Sequence, residues 1–434
     1  MKTRWIKGLA LLLTVIMIMG AMAGCSSPEP LMTLDGQSVS VNIFELMLSI
    51  QKGNMAYMIN YWYGDPNSED FWGTVIDDRS TTWEDYYTLA VYKKAQNLLA
   101  ANVLFEELGL TLDDDAIKNI DDTINGLIEN DAGSKKQLNA ILGQYGVNVD
   151  MYREYKIMEA KSTALAEHLY GKDGSKIGAA LKEDYLQKNY VAFQQIFIAN
   201  YYYEYVTDKN GDVVYYTDTG AIAYDSKNGT AKLDEDGKFG YFTEDGRVAY
   251  DKVTGKPSPV LDAKGEQKIG YYTDEQMAER AELAMSLADQ SGTNVTVFEK
   301  LREQYSDEGM QNGKLDDTLC YLATNVEYES ANMKFMDKLA SAVDKLEVGH
   351  VTVVPTDYGY HVVRRYATEQ GAYADKELSQ WFTDSSYGVF DFINNLENEL
   401  FLKRIEAHVA RVESNKDALD SIRLKDVVPN YYYR

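Results

Sequence analysis

Few side chains in this chain pair reactive chemistry with a suggestive setting. Of the 4 histidines in 434 residues, His361 stands out. It sits in "PTDYGYHVVRR" (355–365), where a Pro-Thr-Asp turn leads into Gly-Tyr-His and a β-branched run. Histidine is the side chain whose ordinary pKa lies nearest neutrality, so His361 could relay hydrogen bonds or a proton. It could equally fill space in a small β-sheet, and both readings stand on the residues alone. His168 lies on a helical stretch with no second ligand three or four residues away, which points to packing or solvent. Cys25 and Cys320 are the 2 cysteines, and with Cys25 otherwise engaged no intramolecular disulfide remains. The acidic turns "DKNGD" and "DEDGK" lack the spacing of an EF-hand loop. The residues therefore call for no metal and no cofactor.

The balance of 43 Lys+Arg against 68 Asp+Glu, a formal charge of −25, excludes a basic surface able to displace counterions from nucleic acid. With 45% hydrophobic residues the chain can still bury real cores. At the start, Lys2, Arg4 and Lys7 precede an apolar run, Leu9 to Ala21, that is short for a membrane span. It ends in "MAGCSS", which resembles the lipobox of a bacterial lipoprotein signal. That resemblance implies a signal peptide over 1–24, a diacylglycerol on Cys25, a tether over 25–33 and an extracytoplasmic, membrane-anchored protein. Two acyl chains, palmitate for instance, suffice for stable anchoring.

The elements behind these residues fall into blocks. From 34 to 190 the periodicity is helical. Thr81-Thr82-Trp83-Glu84 reads as a capping box opening a long helix that Gly109 stops. "VDMYREYKIMEAKSTALAEHLYG" places Met151, Tyr155, Met158, Leu165 and Leu169 on one face. "VAFQQIFIANYYYEYV" reads as a strand. Residues 200–272 then carry a repeat, in which "YYTDTGAIAYDSKNG" (215–229) aligns with "YFTEDGRVAYDKVTG" (241–255) at 7 identical positions of 15. Each copy has hairpin turn chemistry. Thr273–Gln276 opens another helix, "TVFEKLREQYS" a second and 329–346 a third, before a hairpin through His361. The tail over 371–434 is helical.

A strand, three helices and a closing hairpin ending in Gly-Tyr-His resemble a parvulin-type peptidyl-prolyl cis-trans isomerase domain. The matching pieces are "FQQIFI", "FEKLREQYSDEG" with its Ser-Asp signature, "NGKL" and "LEVGHVTVVPTDYGYHVV". With the lipobox, a SurA-like helical N-terminal region and a helical tail, the chain resembles the PrsA-type foldase lipoproteins. The resemblance implies an α+β protein: a parvulin-like domain over 191–370, a small antiparallel sheet with helices, interrupted by the hairpin insertion 200–272. An all-α chaperone-like domain over 34–190 flanks it, and the segment 371–434 packs on that domain. By position it implies catalytic roles for His361, Gln195, Glu308 and Thr356, and a proline pocket of Leu315, Phe335, Leu339 and Tyr358. Gln195 stands where the family has its first histidine, and an amide does not titrate near neutrality. Glu308 falls near the family's Cys or Asp position.

Three functions follow as expectations. The first is an extracytoplasmic foldase that isomerises X–Pro bonds in newly exported polypeptides. The second is a non-catalytic holdase with a degenerate parvulin domain. The third is a wall- or ligand-binding lipoprotein that uses the Tyr-rich hairpins. The insertion holds 13 acids against 9 Lys/Arg, which argues against a phosphopeptide preference. Oligomeric state is not readable from the sequence.

Overall fold

The computed structural model describes residues 29–308, 315, 317–326, 334–383 and 391–433; Cys25 and the leader lie outside them. The chain is a mixed helix-and-sheet protein that divides into two compact units, Met1–Gly178 with Ile393–Arg434, and Ala179–Phe392. Among the described residues no helix is long and apolar enough to cross a membrane, and no group of three or more His, Cys, Asp or Glu could hold a metal ion.

In the first unit, strands β1 (Pro30–Leu34) and β2 (Gln37–Ser40) pair antiparallel and lead into helix α1 (Val41–Tyr63). Helices α2 (Trp83–Glu107), α3 (Asp114–Gly126), α4 (Lys135–Leu142) and α5 (Val149–Tyr170) follow. The capping box of α2 sits one residue beyond its sequence expectation: Thr82 and Asp85 exchange side-chain and backbone hydrogen bonds. The reason is that Thr81 is already spent, because its amide and hydroxyl both donate to Asp77. One core gathers Phe44, Leu48, Leu99, Val103, Tyr155 and Leu165, and Ile405 of the C-terminal helix joins it. The tail returns to α1 through a buried cation. Lys52 is fully buried, and its ammonium donates to Asn67 Oδ1 (2.6 Å) and to the carbonyls of Leu424 (3.1 Å), Lys425 (2.5 Å) and Val427 (2.7 Å). Burial pulls its pKa down to about 8, opposed by the charges of Asp426, Asp65 and Glu84.

The second unit opens with α6 (Ala179–Asn189) and strand β3 (Tyr190–Ala199). After the insertion come α7 (Asp274–Ser291), capped by Thr273 and Gln276, and α8 (Val295–Tyr305). Strand β10 (Cys320–Ala323), helix α9 (Lys334–Asp344) and the hairpin β11 (Val351–Thr356) and β12 (Gly359–Tyr366) complete it. The sheet order is β10-β3-β12-β11, all antiparallel. Alternation sends Ile196, Ile198 and Val362 to one face, against Leu287 and Phe298 of α7 and α8. Val191, Phe193, Val354 and Val363 go to the other face, against Met336, Leu339 and Val343 of α9. At the ends of this unit, Tyr185 of α6 and Tyr373 pack their rings on Phe392.

The insertion is built of strands β4 (Tyr201–Tyr203), β5 (Tyr215–Tyr216), β6 (Thr230–Leu233), β7 (Phe239–Phe242), β8 (Lys256–Pro257) and β9 (Ile269–Tyr271). The two sequence copies dock on each other symmetrically. Asp225 N donates to Ala249 O and Asp251 N to Ala223 O, both at 2.8 Å. Gly229 and Gly255 allow this approach, since a Cβ on either would lie 2.6 Å from the Cβ of Ala249 or Ala223. Tyr215 faces Tyr250 and Tyr224 faces Tyr241 across the copies, with centroids 6.3 and 6.1 Å apart. These four rings pack the duplication against itself.

The β11–β12 turn depends on Gly359, at φ +135°, where an added Cβ would lie 2.1 Å from Ile198 O. We expect Gly359→Ala to destabilise the second unit by about 3 kcal/mol, read as a lowered urea midpoint at unchanged slope.

Candidate functional site

Antiparallel register brings the site together. His361 pairs directly with Phe197, and Val363 with Gln195, so Gln195 and Phe197 share one sheet face with His361. Thr356 reaches the same face from β11, closing the hairpin opposite Gly359. A chain of hydrogen bonds runs through these residues. Thr356 Oγ1 lies 2.9 Å from His361 Nε2, His361 Nδ1 lies 2.7 Å from Gln195 Oε1, and Gln195 Nε2 donates to Glu308 Oε1 at 2.8 Å. Its polarity follows from the far end. An ionised carboxylate only accepts, so the Gln195 amide nitrogen faces Glu308 and its oxygen faces His361. His361 therefore carries its proton on Nδ1, and Nε2 accepts from the Thr356 hydroxyl. Tyr358 N in turn donates to Thr356 Oγ1 at 3.2 Å.

The Ser-Asp signature has a visible task. Ser306 Oγ accepts from Phe197 N (3.0 Å) and Glu308 N (3.3 Å), and Asp307 N donates to Phe197 O (2.7 Å). Asp307 also accepts from Ala199 N at 2.8 Å and pairs with Arg280. These bonds staple 306–308 along the edge of β3 and hold Glu308 under Gln195. Arg302, itself buried, donates to Gln195 O (3.1 Å) and lies 3.5 Å from Glu308 Oε2.

His361 is 3% exposed. Its ring is sandwiched between Phe197 (centroid 4.8 Å, 30°) and Phe335 (5.9 Å, 15°). Burial lowers its pKa to about 4, so it is neutral at pH 7. In this position it orients Thr356 and Gln195 and offers a ligand almost no surface.

The other expected residues divide. Tyr358, 37% exposed, packs edge-on against Phe335 at 5.2 Å, and Phe335 in turn stacks on His361, so both lie beside the hydrogen-bond chain. Leu339 is 2% exposed within the core under α9, and Leu315 is half-buried. Gln195 stands at the position where the resemblance places a first histidine. The structure has Gln195 fill the place with an amide that keeps the hydrogen-bond chain continuous. Sequence reasoning missed Phe197, Arg302 and the stapling role of Ser306 and Asp307. Phe197 could have been found, because it lies two residues beyond Gln195 on the same strand face.

No protein-family model and no curated protein matches the chain. Among solved structures it is similar to the crystal structure of PrsA from Bacillus subtilis, with 17% identity, covering 79% of this chain and 88% of that one, at a TM-score of 0.17. It is also similar to the crystal structure of foldase protein PrsA from Streptococcus pneumoniae, with 12% identity, covering 80% and 96%, at a TM-score of 0.20.

The buried histidine makes stability depend on pH. Its folded pKa lies below the unfolded value, so the unfolded state takes up the proton first as pH falls. Stability is therefore lost between about pH 6.5 and the folded value of about 4, and is level above pH 7. From pH 7 to 5 the wild-type chain should lose about 2 kcal/mol more than His361→Asn in urea unfolding. Parallel losses in the two proteins would refute the assignment.

Proposed function

We propose that the chain is a membrane-anchored, extracytoplasmic foldase that binds X–Pro segments of exported polypeptides and speeds their cis/trans isomerisation. Its lipid anchor would be on Cys25, and its clients would be unfolded chains. The observation that carries the reading is the hydrogen-bond chain Thr356–His361–Gln195–Glu308, with its histidine neutral, beside the partly exposed rings of Phe335, Tyr358 and Phe197.

The reaction asks for no covalent step. An X–Pro bond turns over a barrier of roughly 20 kcal/mol that is set by amide resonance. Twisting the bond removes that resonance and makes the amide less dipolar. A site that is apolar and uncharged around the amide favours the twisted form over the planar one, and only such a difference accelerates the step. Phe335 and Tyr358 would seat the pyrrolidine ring. Neutral His361 keeps charge out of the pocket and holds the Thr356 hydroxyl in one orientation. Cutting the barrier by ~4 kcal/mol would give roughly a thousandfold.

A second reading, a non-catalytic holdase, is favoured by the exposed apolar surface of α1, where Tyr57 is 83% exposed and Tyr61 and Trp62 each 72%. The two readings part in one assay. The foldase accelerates cis/trans relaxation of a short prolyl peptide followed by exchange NMR, and Phe335→Ala and Thr356→Val each cut kcat/KM about tenfold or more. No acceleration by the wild-type chain, with retained suppression of client aggregation, sinks the foldase reading and leaves the holdase. Because His361 is neutral down to a pKa of about 4, the rate should be level from pH 8 to 6 and fall only as pH approaches that value. A loss centred near 6.5 would contradict the buried histidine.

A further inference from the structure

We infer that the insertion extends the proposed site with an aromatic ledge that seats the extended polypeptide flanking the X–Pro bond; this rests on the foldase reading above. Side chains at 197, 201 and 203 continue the row begun by Gln195 on alternate positions of β3 and β4. Phe197 lies 6.5 Å from Tyr201, and Tyr201 lies 5.7 Å from Tyr203. With the stack at His361, the rings of Tyr358, Phe335, His361, Phe197, Tyr201 and Tyr203 form one series in which each lies within 6.5 Å of the next. The series leaves the candidate site, where His361 itself is buried, and continues through Phe197 onto Tyr201 and Tyr203 of the first strand of the insertion.

The ribbon β4–β9 widens this row. Tyr201 pairs directly with Tyr271, and Tyr203 with Ile269, so each pair shares a face. Tyr271 is 71% and Ile269 46% exposed. These four side chains are uncharged and offer apolar surface beside the place where a bound bond would twist.

Continuity with the candidate site names the occupant, the polypeptide on either side of the X–Pro bond. Side chains on one side of an extended peptide recur about every 7 Å, two residues apart. Rings roughly 6 Å apart therefore meet alternate side chains of a β-extended segment, on the order of six residues in all. The ligand class is thus an unfolded, extended polypeptide with aliphatic or aromatic residues at alternating positions beside the proline. Acidic residues there would give up water against the uncharged faces of these rings and gain no ion pair from them. Seating one apolar side chain on a ring is worth on the order of tenfold in affinity.

The test uses the full chain and three blocked peptides with one X–Pro centre. One has four residues, one has ten with Leu or Phe at alternate positions, and one has ten with Asp there. We expect the apolar ten-residue peptide to bind at least about tenfold tighter than either of the others. The double variant Tyr201→Ser/Tyr203→Ser should shrink that advantage to threefold or less, and Tyr201→Phe/Tyr203→Phe should keep it. A photo-crosslinker on an alternate side chain of the apolar peptide should label 201–203 or 269–271. Equal binding of the two ten-residue peptides by the wild-type chain, or labelling in the helical unit, overturns the ledge while leaving the isomerase site standing. Failure of all three peptides to bind overturns the foldase reading, and the ledge with it.

Discussion

The register between β3 and β12 is the constraint on which the second unit depends. It sets His361 opposite Phe197 and Val363 opposite Gln195. With a side-chain period of two, a slip of one residue would send all of these to the α7–α8 face and bring Ile196 and Val362 out in their place. Both faces are filled with apolar side chains from helices, so such a slip would empty two cores at once. The same register passes the stapled segment 306–308 along the outer edge of β3 and brings Glu308 to Gln195. Packing of the whole unit thus enforces the geometry of four polar side chains.

Burial and neutrality then act together. A histidine between two phenyl rings costs less neutral than charged, and its pKa falls to about 4 as a result. With a neutral ring, the partner on Nδ1 has only to accept one hydrogen bond, and an amide oxygen does this as well as an imidazole would. The Gln195 amide then offers its nitrogen to Glu308, which an acceptor-only carboxylate requires. Gln195 is therefore chemically consistent with its neighbours, and the chain of bonds through it is continuous.

Elsewhere the same principle, polar groups satisfied at close quarters, holds distant segments of sequence together. Lys52 gathers three carbonyls of the C-terminal segment, and Asn430 N donates to Ser49 O at 2.9 Å. In the insertion, two copies of one hairpin motif satisfy each other's backbone across a shared contact where only glycine fits. Its half-buried Tyr215, Tyr224, Tyr241 and Tyr250 line that contact. Tyr201, Tyr203 and Tyr271 lie outside the repeat and keep exposed or half-buried surface.

Much of the second unit was legible in the sequence, because its signals are local. Alternation in "VAFQQIFIA", the Gly turn before "YHVVRR" and the capping pair Thr273–Gln276 each fix a strand, a turn or a helix start with residues close together. Capping shifted by one at Thr82 because Asp77, five residues upstream, had claimed Thr81. What the sequence by itself determined was the kind and order of elements, the duplication at 215–255 and His361 as the residue to question. Only the tertiary structure decided that His361 is buried between Phe197 and Phe335, and that Gln195 is its partner. It alone showed that Lys52 holds the tail and that the aromatic row continues into the insertion. Those facts are contacts between residues up to hundreds of positions apart. Local propensity carries no information about such contacts until pairing and packing bring the residues together.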